Sequence, residues 1–515
     1  MSEKLFKSTA IVSSMTFLSR ILGFIRDIVI ARLFGAGVGA DVFFVAFKIP
    51  NFLRRLFAEG AFSQAFIPVL AEYRQRGDSD LKSLISNVSG TLTGILFLIT
   101  ALGVVAAPLL IMIFAPGFID NPQKLDLAGD LLKITFPYLF FISLTALAGS
   151  ILNSFGRFAV PAFTPVFLNL SLIVCAIWLS PHLANPVTAL AWGVFIGGAV
   201  QLLFQIPFLL KINQLPKPSW GWKNSGVQKI LKLMIPAMFG VSVSQINLLL
   251  DTLLASFLVT GSISWLYYSD RLVEFPLGVF GIALSTVILP SLSKKHATSS
   301  KAEFSHTIDW ALRWVFIIAT PASIGLIWLA EPLLLTLFQY GEFTAQDAHK
   351  ASLSLMAYGL GLLPFVFIKV LAPGYFARQD TKTPVKIGVI AMVTNMVLNI
   401  ILMMQLAHVG LALATALSAV LNAGLLYAGL RKLGVYRPNP GWGGFALKLI
   451  IANVSLLALL VVLTPISSDW PSWNVWRRVS WLSGLIISGA MVYFAVLSAV
   501  GIKVKYLLKP DTGNI

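Results

Sequence analysis

Ten lysines and arginines stand inside stretches that otherwise carry almost no charge: Arg20, Arg26, Arg32, Lys48, Arg54, Arg55, Lys133, Arg271, Arg313 and Lys369. Six of them fall in the first sixty residues. An Arg at the middle of a bilayer costs at least about 2.5–3.5 kcal/mol, so such cations persist where they line a wet cavity or meet a partner. Guanidinium forks match phosphate oxygens in bidentate geometry. Several on one face point to an anionic cargo bearing phosphate or diphosphate.

The spacing groups them into stripes. Ser19, Arg20, Gly23, Arg26 and Asp27 share one face of a helix, with the small Gly23 at its centre where a bend is easy. Asp41, Lys48, Arg55 and Glu59 share another, with Pro50 as a kink and Arg54 beside the stripe. Ser264, Tyr267, Tyr268, Arg271, Glu274 and Gly278 run along a third, with Asp270 close by. The acids admit a simpler reading, as internal ion pairs that hold helices together. That reading does not account for the cations, because seven of them (Arg20, Arg26, Arg32, Lys48, Arg54, Arg55, Arg271) face five acids (Asp27, Asp41, Glu59, Asp270, Glu274). Arg32, near a helix end, reads as a snorkelling anchor.

A fainter constellation comprises Asp251, Asn395, Asn399 and Thr415. Carboxylate, amide and hydroxyl oxygens suit a hard cation such as Na⁺. Interhelical hydrogen bonding explains the same residues, and both readings stay open.

The elements that must position these residues are membrane spans. The chain is 57% hydrophobic and 11% charged, with a mean hydropathy of +0.84, whereas a soluble domain is about 25% charged. Fourteen stretches are long enough to cross a ~30 Å hydrocarbon core as helices: 10–35, 41–70, 84–114, 131–153, 162–180, 187–210, 229–259, 264–292, 307–338, 350–376, 384–405, 409–430, 444–465 and 479–502. The first, second and eighth are the least hydrophobic and the richest in charge. Loops on one side hold twenty-four Lys and Arg, and those on the other hold four: Lys124, Lys350, Arg477 and Arg478. Positive charge concentrates on the cytoplasmic side, so both termini are expected there. The same placement, in short loops, argues against nucleic acid as the reason for the net charge of +17. A headgroup-facing role is expected for Arg477 and Arg478, and Arg313, outside the stripes, is expected to tolerate Ala.

The one cysteine, Cys175, allows no disulfide within the chain, and the five His show no ligand spacing. No secretory signal is visible in the first apolar stretch. No phosphate-binding Walker loop, GxSxG or HExxH is present, so no hydrolytic activity is expected.

The chain also repeats itself at about 222 residues. "FSQAFIPVLAE" at 62–72 aligns with "LSTVILPSLSK" at 284–294, and "NSFGRFAVP" at 153–161 with "GYFARQDTKTP" at 374–384. Six spans separate equivalent points, which makes a parallel repeat of two six-helix lobes with substrate expected between them. The expected divisions are a first lobe at 1–210, a basic linker at 211–228, a second lobe at 229–432, and helices 13 and 14 with a tail at 433–515.

The basic motifs resemble a known family. "SSMTFLSRILGFIRDIVIARLFGAG" at 13–37, "DVFFVAFKIPNFLRRLFAEGAFSQAFIPVLAEY" at 41–73, "SWLYYSDRLVEFPLGVFGIALSTVILPSL" at 264–292 and "LAPGYFARQDTKTPVKI" at 371–387 resemble the MurJ (MviN) lipid II flippases. The resemblance runs over nearly the whole chain. It implies an all-α bacterial inner-membrane protein of fourteen transmembrane helices, two six-helix lobes around a cationic cavity plus two C-terminal helices that form a groove for a lipid tail. The implied cargo is undecaprenyl-diphosphate carrying the peptidoglycan disaccharide-pentapeptide, moved to the periplasmic leaflet by alternating access. Membrane lipids and peptidoglycan-synthesis proteins are the implied partners, and no cofactor beyond a Na⁺ coupling ion. Ser19, Arg20, Arg26, Asp41, Arg54, Arg55, Glu59, Ser264 and Arg271 match the family's functional residues. Arg20, Arg26 and Arg271 would grip the diphosphate, and Arg54, Arg55 and Glu59 would line or gate the cytoplasmic mouth. Asp251, Asn395, Asn399 and Thr415 occupy the places of a sodium site, with Asn399 where Asp is expected. Membrane potential is the alternative drive. A flippase for another undecaprenyl-linked glycan, or a drug/cation antiporter of related fold, is the alternative function.

Overall fold

The computed structural model describes residues 3–297, 300–465 and 467–502; the side chains of 3–10, 57–60, 239–244, 282–283, 286–287, 297 and 467–468 lie outside that description. Among the described residues there are helices and turns and no strand. A backbone in hydrocarbon must satisfy its own hydrogen bonds, and helices do so within one segment.

Each of the fourteen apolar stretches coincides with a helix or with a run of helices, some joined by a one- or two-residue turn as at Ala106, Phe136–Pro137, Thr164 and Leu329. Nine of the described helical segments are long and apolar enough to cross a membrane by length and composition. One of these, Lys382–Lys432, is two spans joined at Ala407 (φ 50°, ψ −130°), where the sequence places its break. The turn is tight: a Cβ on Gly410 would come within 2.3 Å of the Leu402 carbonyl oxygen. The charge-rich first, second and eighth stretches fall outside the nine.

The repeat is visible in local geometry. A π-helical stretch, Arg54–Phe62, follows the Val38–Leu53 helix, and a second, Leu277–Gly281, follows Ser262–Pro276. Such turns often mark functional positions, because they re-aim the side chains around them. Pro68 and Pro290 both lie inside the helices that come next. Each aligned basic motif turns through a left-handed residue, Gly156 (φ 75°) in one and Gln379 (φ 61°) in the other.

The chain divides into two compact units, Met1–Ser264 and Trp265–Ile515. In the first, Phe66, Leu70, Leu84, Ile151, Leu152 and Val227 belong to a buried apolar cluster. The connecting segment after Lys211 lies along the Asp78–Val105 helix, with Ser219 N–H donating to Ser86 O (3.1 Å) and Gly221 N–H to Thr91 Oγ1 (3.1 Å). Gly90 makes this possible, since a Cβ there would stand 2.1 Å from the Ser219 oxygen.

In the second unit, Ala345–Phe376 packs against Lys301–Trp328 and Lys382–Lys432. Trp442–Leu463 and Val475–Ala499 pair with each other. The Tyr493 hydroxyl fastens the latter to Lys301–Trp328 by donating to Ile317 O at 2.8 Å.

Candidate functional site

The first stripe lies on Glu3–Phe34, which runs unbroken through Gly23. Asn169 lies against Gly23: a Cβ there would stand 3.5 Å from Asn169 Nδ2, an ordinary contact. Arg26 is 7% exposed. Its Nε and Nη2 donate to Asp27 Oδ1 at 3.0 and 2.7 Å, and its Nη1 donates to Asn169 Oδ1 at 3.0 Å. Asn169 Nδ2 then donates to the Ser19 carbonyl at 3.0 Å. Ser19 thus takes part through its backbone, and Asn169 is a member that the stripes did not contain. Arg20 and Arg32 are exposed.

Asp41 opens the second stripe and is 2% exposed. Its Oδ1 accepts from the N–H (2.9 Å) and hydroxyl (2.6 Å) of Ser264, and its Oδ2 accepts from Gly261 N–H (2.6 Å). A carboxylate across from the first turn of Ser262–Pro276 satisfies donors that a helix start leaves open. Lys48 and Arg55 are half-buried. Arg54 donates through Nε to Asn51 Oδ1 at 2.9 Å and lines a cavity of about 340 Å³ inside the first unit, as do Ser63 and Asn169. The Glu59 side chain lies outside the described residues.

In the second unit, Arg271 donates through Nη1 to Glu274 Oε2 (2.7 Å) and through Nη2 to the Tyr267 hydroxyl (3.2 Å), over whose ring it sits at 5.1 Å. The side chains of the pair are 33% and 46% exposed. Tyr268, counted on the same stripe, is fully buried against Phe338 and Phe343. Tyr268 and Tyr267 flank Arg271 three and four residues back and point about 100° apart; Tyr267 lies beside the guanidinium and Tyr268 packs inward.

The fainter constellation divides between the units. Asp251, in the first, is half-buried. Asn395 and Asn399, in the second, are 1% and 0% exposed. Asn399 Nδ2 donates to Asn395 Oδ1 (2.9 Å), Asn395 Nδ2 to Thr415 Oγ1 (3.4 Å), and Thr415 Oγ1 to Leu411 O (3.0 Å). The oxygen donor set fits a hard cation. Binding one would require the chain of amides to open. Among the described residues no group of three or more His, Cys, Asp or Glu is placed to hold a metal ion.

Two cations are structural. Arg313, expected to tolerate Ala, is 4% exposed and donates through Nε to Asp309 Oδ2 at 2.9 Å. Asp309 Oδ1 accepts from the Tyr436 hydroxyl (2.8 Å), Asn439 N–H (3.1 Å) and Trp442 Nε1 (2.8 Å). This network clips the segment before Trp442–Leu463 onto Lys301–Trp328. Burial, and then the Asp309 carboxylate, push the Tyr436 phenol above its usual pKa, so it stays a donor. Arg478, expected to face headgroups, is 6% exposed and donates to the carbonyls of Leu335 (3.0 Å), Trp473 (3.0 Å) and Pro471 (2.7 Å). Lys133, counted among the membrane-embedded cations, forms an exposed pair with Asp130 at 2.9 Å.

An all-helical, multi-pass membrane protein with arginines paired to carboxylates on its charge-rich first and eighth stretches has the general build of a membrane transporter. Solved structures agree on the fold. The chain matches a MATE-family multidrug transporter of the MOP superfamily in its inward-facing conformation with a TM-score of 0.65, over 83% of this chain and 98% of that one at 13% identity. It matches a structure of "Lipid II flippase MurJ, inward closed conformation" with a TM-score of 0.81, over 97% and 99% of the two chains at 28% identity. It is 54% identical over 514 residues to the probable lipid II flippase MurJ of Vibrio cholerae, covering 98% of each chain. It is 42% identical over 509 residues to the lipid II flippase MurJ of Burkholderia cenocepacia, again covering 98% of each. The family profile "Lipid II flippase MurJ" matches residues 30–478. The chain belongs to the lipid II flippase MurJ family.

Proposed function

We propose that the protein moves lipid II, the undecaprenyl-diphosphate-linked peptidoglycan precursor, from the cytoplasmic to the periplasmic leaflet of the bacterial inner membrane. The observation that carries this is the relationship to MurJ proteins over 98% of the chain, 54% identical to that of Vibrio cholerae. Both termini are cytoplasmic, on the strength of the loop charge asymmetry, and the chain hydrolyses no nucleotide. The repeat supports lobes at 1–210 and 229–432 joined by 211–228, and within 433–515 helices 13 and 14 hold the lipid tail. Peptidoglycan-synthesis proteins take up the product.

The cationic residues supply charge for the diphosphate: Arg20, Arg26, Arg54 and Arg55 from the first unit and Arg271 from the second. Ser19, Asp41, Glu59 and Ser264 orient or gate them. Arg271 is the easiest to recruit, because exposed ion pairs contribute only about 0–1 kcal/mol and a diphosphate oxygen readily replaces Glu274. Arg26 is held more firmly, since its pair is buried and separating it costs more. Alternating access then follows from exchanging internal carboxylates for cargo phosphate. Na⁺ held by Asp251, Asn395, Asn399 and Thr415 drives the return.

Depleting the protein and assaying which lipid-linked precursor accumulates on the cytoplasmic face tests the reading. Accumulation of lipid II supports it, and accumulation of another undecaprenyl-linked glycan overturns it.

A further inference from the structure

We propose that Asn169 is a positioning residue for the cargo's diphosphate. It keeps its hold on one nitrogen of Arg26 while the diphosphate takes the place of Asp27 on the other two. This rests on the flippase reading and adds a residue that the charged stripes do not contain.

The partners of Asn169 fix which way its amide is turned. A guanidinium only donates and a carbonyl oxygen only accepts. Oδ1 is therefore the atom on Arg26 Nη1 and Nδ2 the atom on the Ser19 oxygen, each at 3.0 Å. Asn169 comes from the Pro165–Val174 helix and is 7% exposed. Its amide lies over Gly23, 3.5–3.9 Å from the position of a Cβ there, and bridges Ser19 to Arg26, about two helical turns along Glu3–Phe34. A polar side chain inside a membrane span is costly and is kept for a partner or a function. Here the partner is one of the arginines assigned to the cargo.

The guanidinium is divided between two kinds of acceptor. Nε and Nη2 form one edge of the fork and both donate to Asp27 Oδ1, at 3.0 and 2.7 Å. Such an edge is the one that matches a pair of phosphate oxygens. Nη1 goes instead to a neutral amide from another helix. An anionic cargo can replace the carboxylate on the fork, charge for charge, and leave the amide bond in place. Without that second hold, an arginine released from Asp27 would regain its rotamer freedom, and immobilising it again would weaken binding. Neutrality suits the role, because a carboxylate at 169 would add a second negative charge beside Arg26 and oppose the diphosphate. Asn169 and Arg54 also line the same cavity of about 340 Å³, so the amide that holds Arg26 borders a space that a second candidate arginine reaches.

Binding of purified undecaprenyl diphosphate to the full-length protein tests this as a double-mutant cycle. Asn169→Ala should weaken binding about three- to tenfold, the effect of losing one hydrogen bond. In a background of Arg26→Met with Asp27→Leu, where there is no guanidinium to hold, the same change should have no effect. Asn169→Asp is nearly isosteric and carries the test where Asn169→Ala does not insert. It keeps an acceptor for Arg26 but adds the opposing charge, and should weaken binding at least about threefold. Wild-type affinity in folded Asn169→Ala or Asn169→Asp protein overturns the role. An equal loss from Asn169→Ala in both backgrounds also overturns it, since that is the behaviour of a residue that only fastens two helices. Wild-type affinity in Arg26→Met with Asp27→Leu overturns the role and leaves the flippase reading standing. Wild-type protein that binds neither undecaprenyl diphosphate nor lipid II overturns both.

Discussion

Asp41 and Ser264 are joined twice, with the backbone N–H of Ser264 at 2.9 Å and its hydroxyl at 2.6 Å both donating to one carboxylate oxygen. The two residues are 2% and 0% exposed, so water does not replace a lost partner. Ser264→Ala removes one bond of three and should cost about 1 kcal/mol. Asp41→Ala leaves the hydroxyl and two N–H groups without an acceptor, at about 1–3 kcal/mol for each buried group. Thermal unfolding in detergent should rank Asp41→Ala well below Ser264→Ala, and equal melting temperatures would show that the carboxylate is not the anchor of this helix start.

The Arg26–Asp27 pair allows structural and functional charge to be separated. Asp27→Ala strands a buried guanidinium and should cost about 3–5 kcal/mol, whereas replacing both residues with apolar ones of similar volume is often neutral. Arg26→Met with Asp27→Leu should therefore restore the stability lost in Asp27→Ala while complementation stays absent. Growth at wild-type rate in that double variant would assign Arg26 to packing alone.

Arg313 makes a prediction opposite to the one its sequence position suggests. Arg313→Ala leaves Asp309 buried with three neutral donors and no cation, at about 3–5 kcal/mol. Loosening of the segment from Tyr436 to Trp442 should accompany the loss, read as faster hydrogen exchange at Asn439 N–H. An unchanged melting temperature and exchange rate would contradict the clip.

The spans were legible because twenty apolar residues in a row have few other uses. The break near Ala407 was legible as a polar dip at Gln405 and His408. Partners were less so. Asn169 is a single amide in an apolar run, and only the packed helices show that it faces Arg26. Asp309 and Arg313 stand four apart, which is an ion-pair spacing on a helix, so that signal was present and outweighed by position in the span. Arg478 reaches carbonyls of Pro471 and Trp473 nearby in the chain and of Leu335, 143 residues away, and no periodicity reports a backbone partner. Tyr268 fell on a stripe by counting, yet neighbouring Tyr267 took the place beside Arg271.

For the drive, Asp251→Ala should abolish Na⁺ dependence of lipid II flipping and Na⁺-induced thermal stabilisation while lipid II binding is retained. Full Na⁺ stimulation and stabilisation in that variant would remove the four-residue site and leave the membrane potential as the drive.

The central claim is that Arg20, Arg26 and Arg271 serve the diphosphate. Charge-assisted hydrogen bonds contribute roughly 1.5–3 kcal/mol each, or about one to two decades of affinity. The most direct measurement is complementation of a depleted strain by variants inserted at wild-type levels, with Lys133→Ala as the control because its pair with Asp130 is exposed. Arg20→Ala, Arg26→Ala and Arg271→Ala should each fail, Arg271→Lys should rescue in part because it keeps the charge without the fork, and Lys133→Ala should grow normally. Normal growth of all three alanine variants would contradict the account and leave the membrane cations as internal struts.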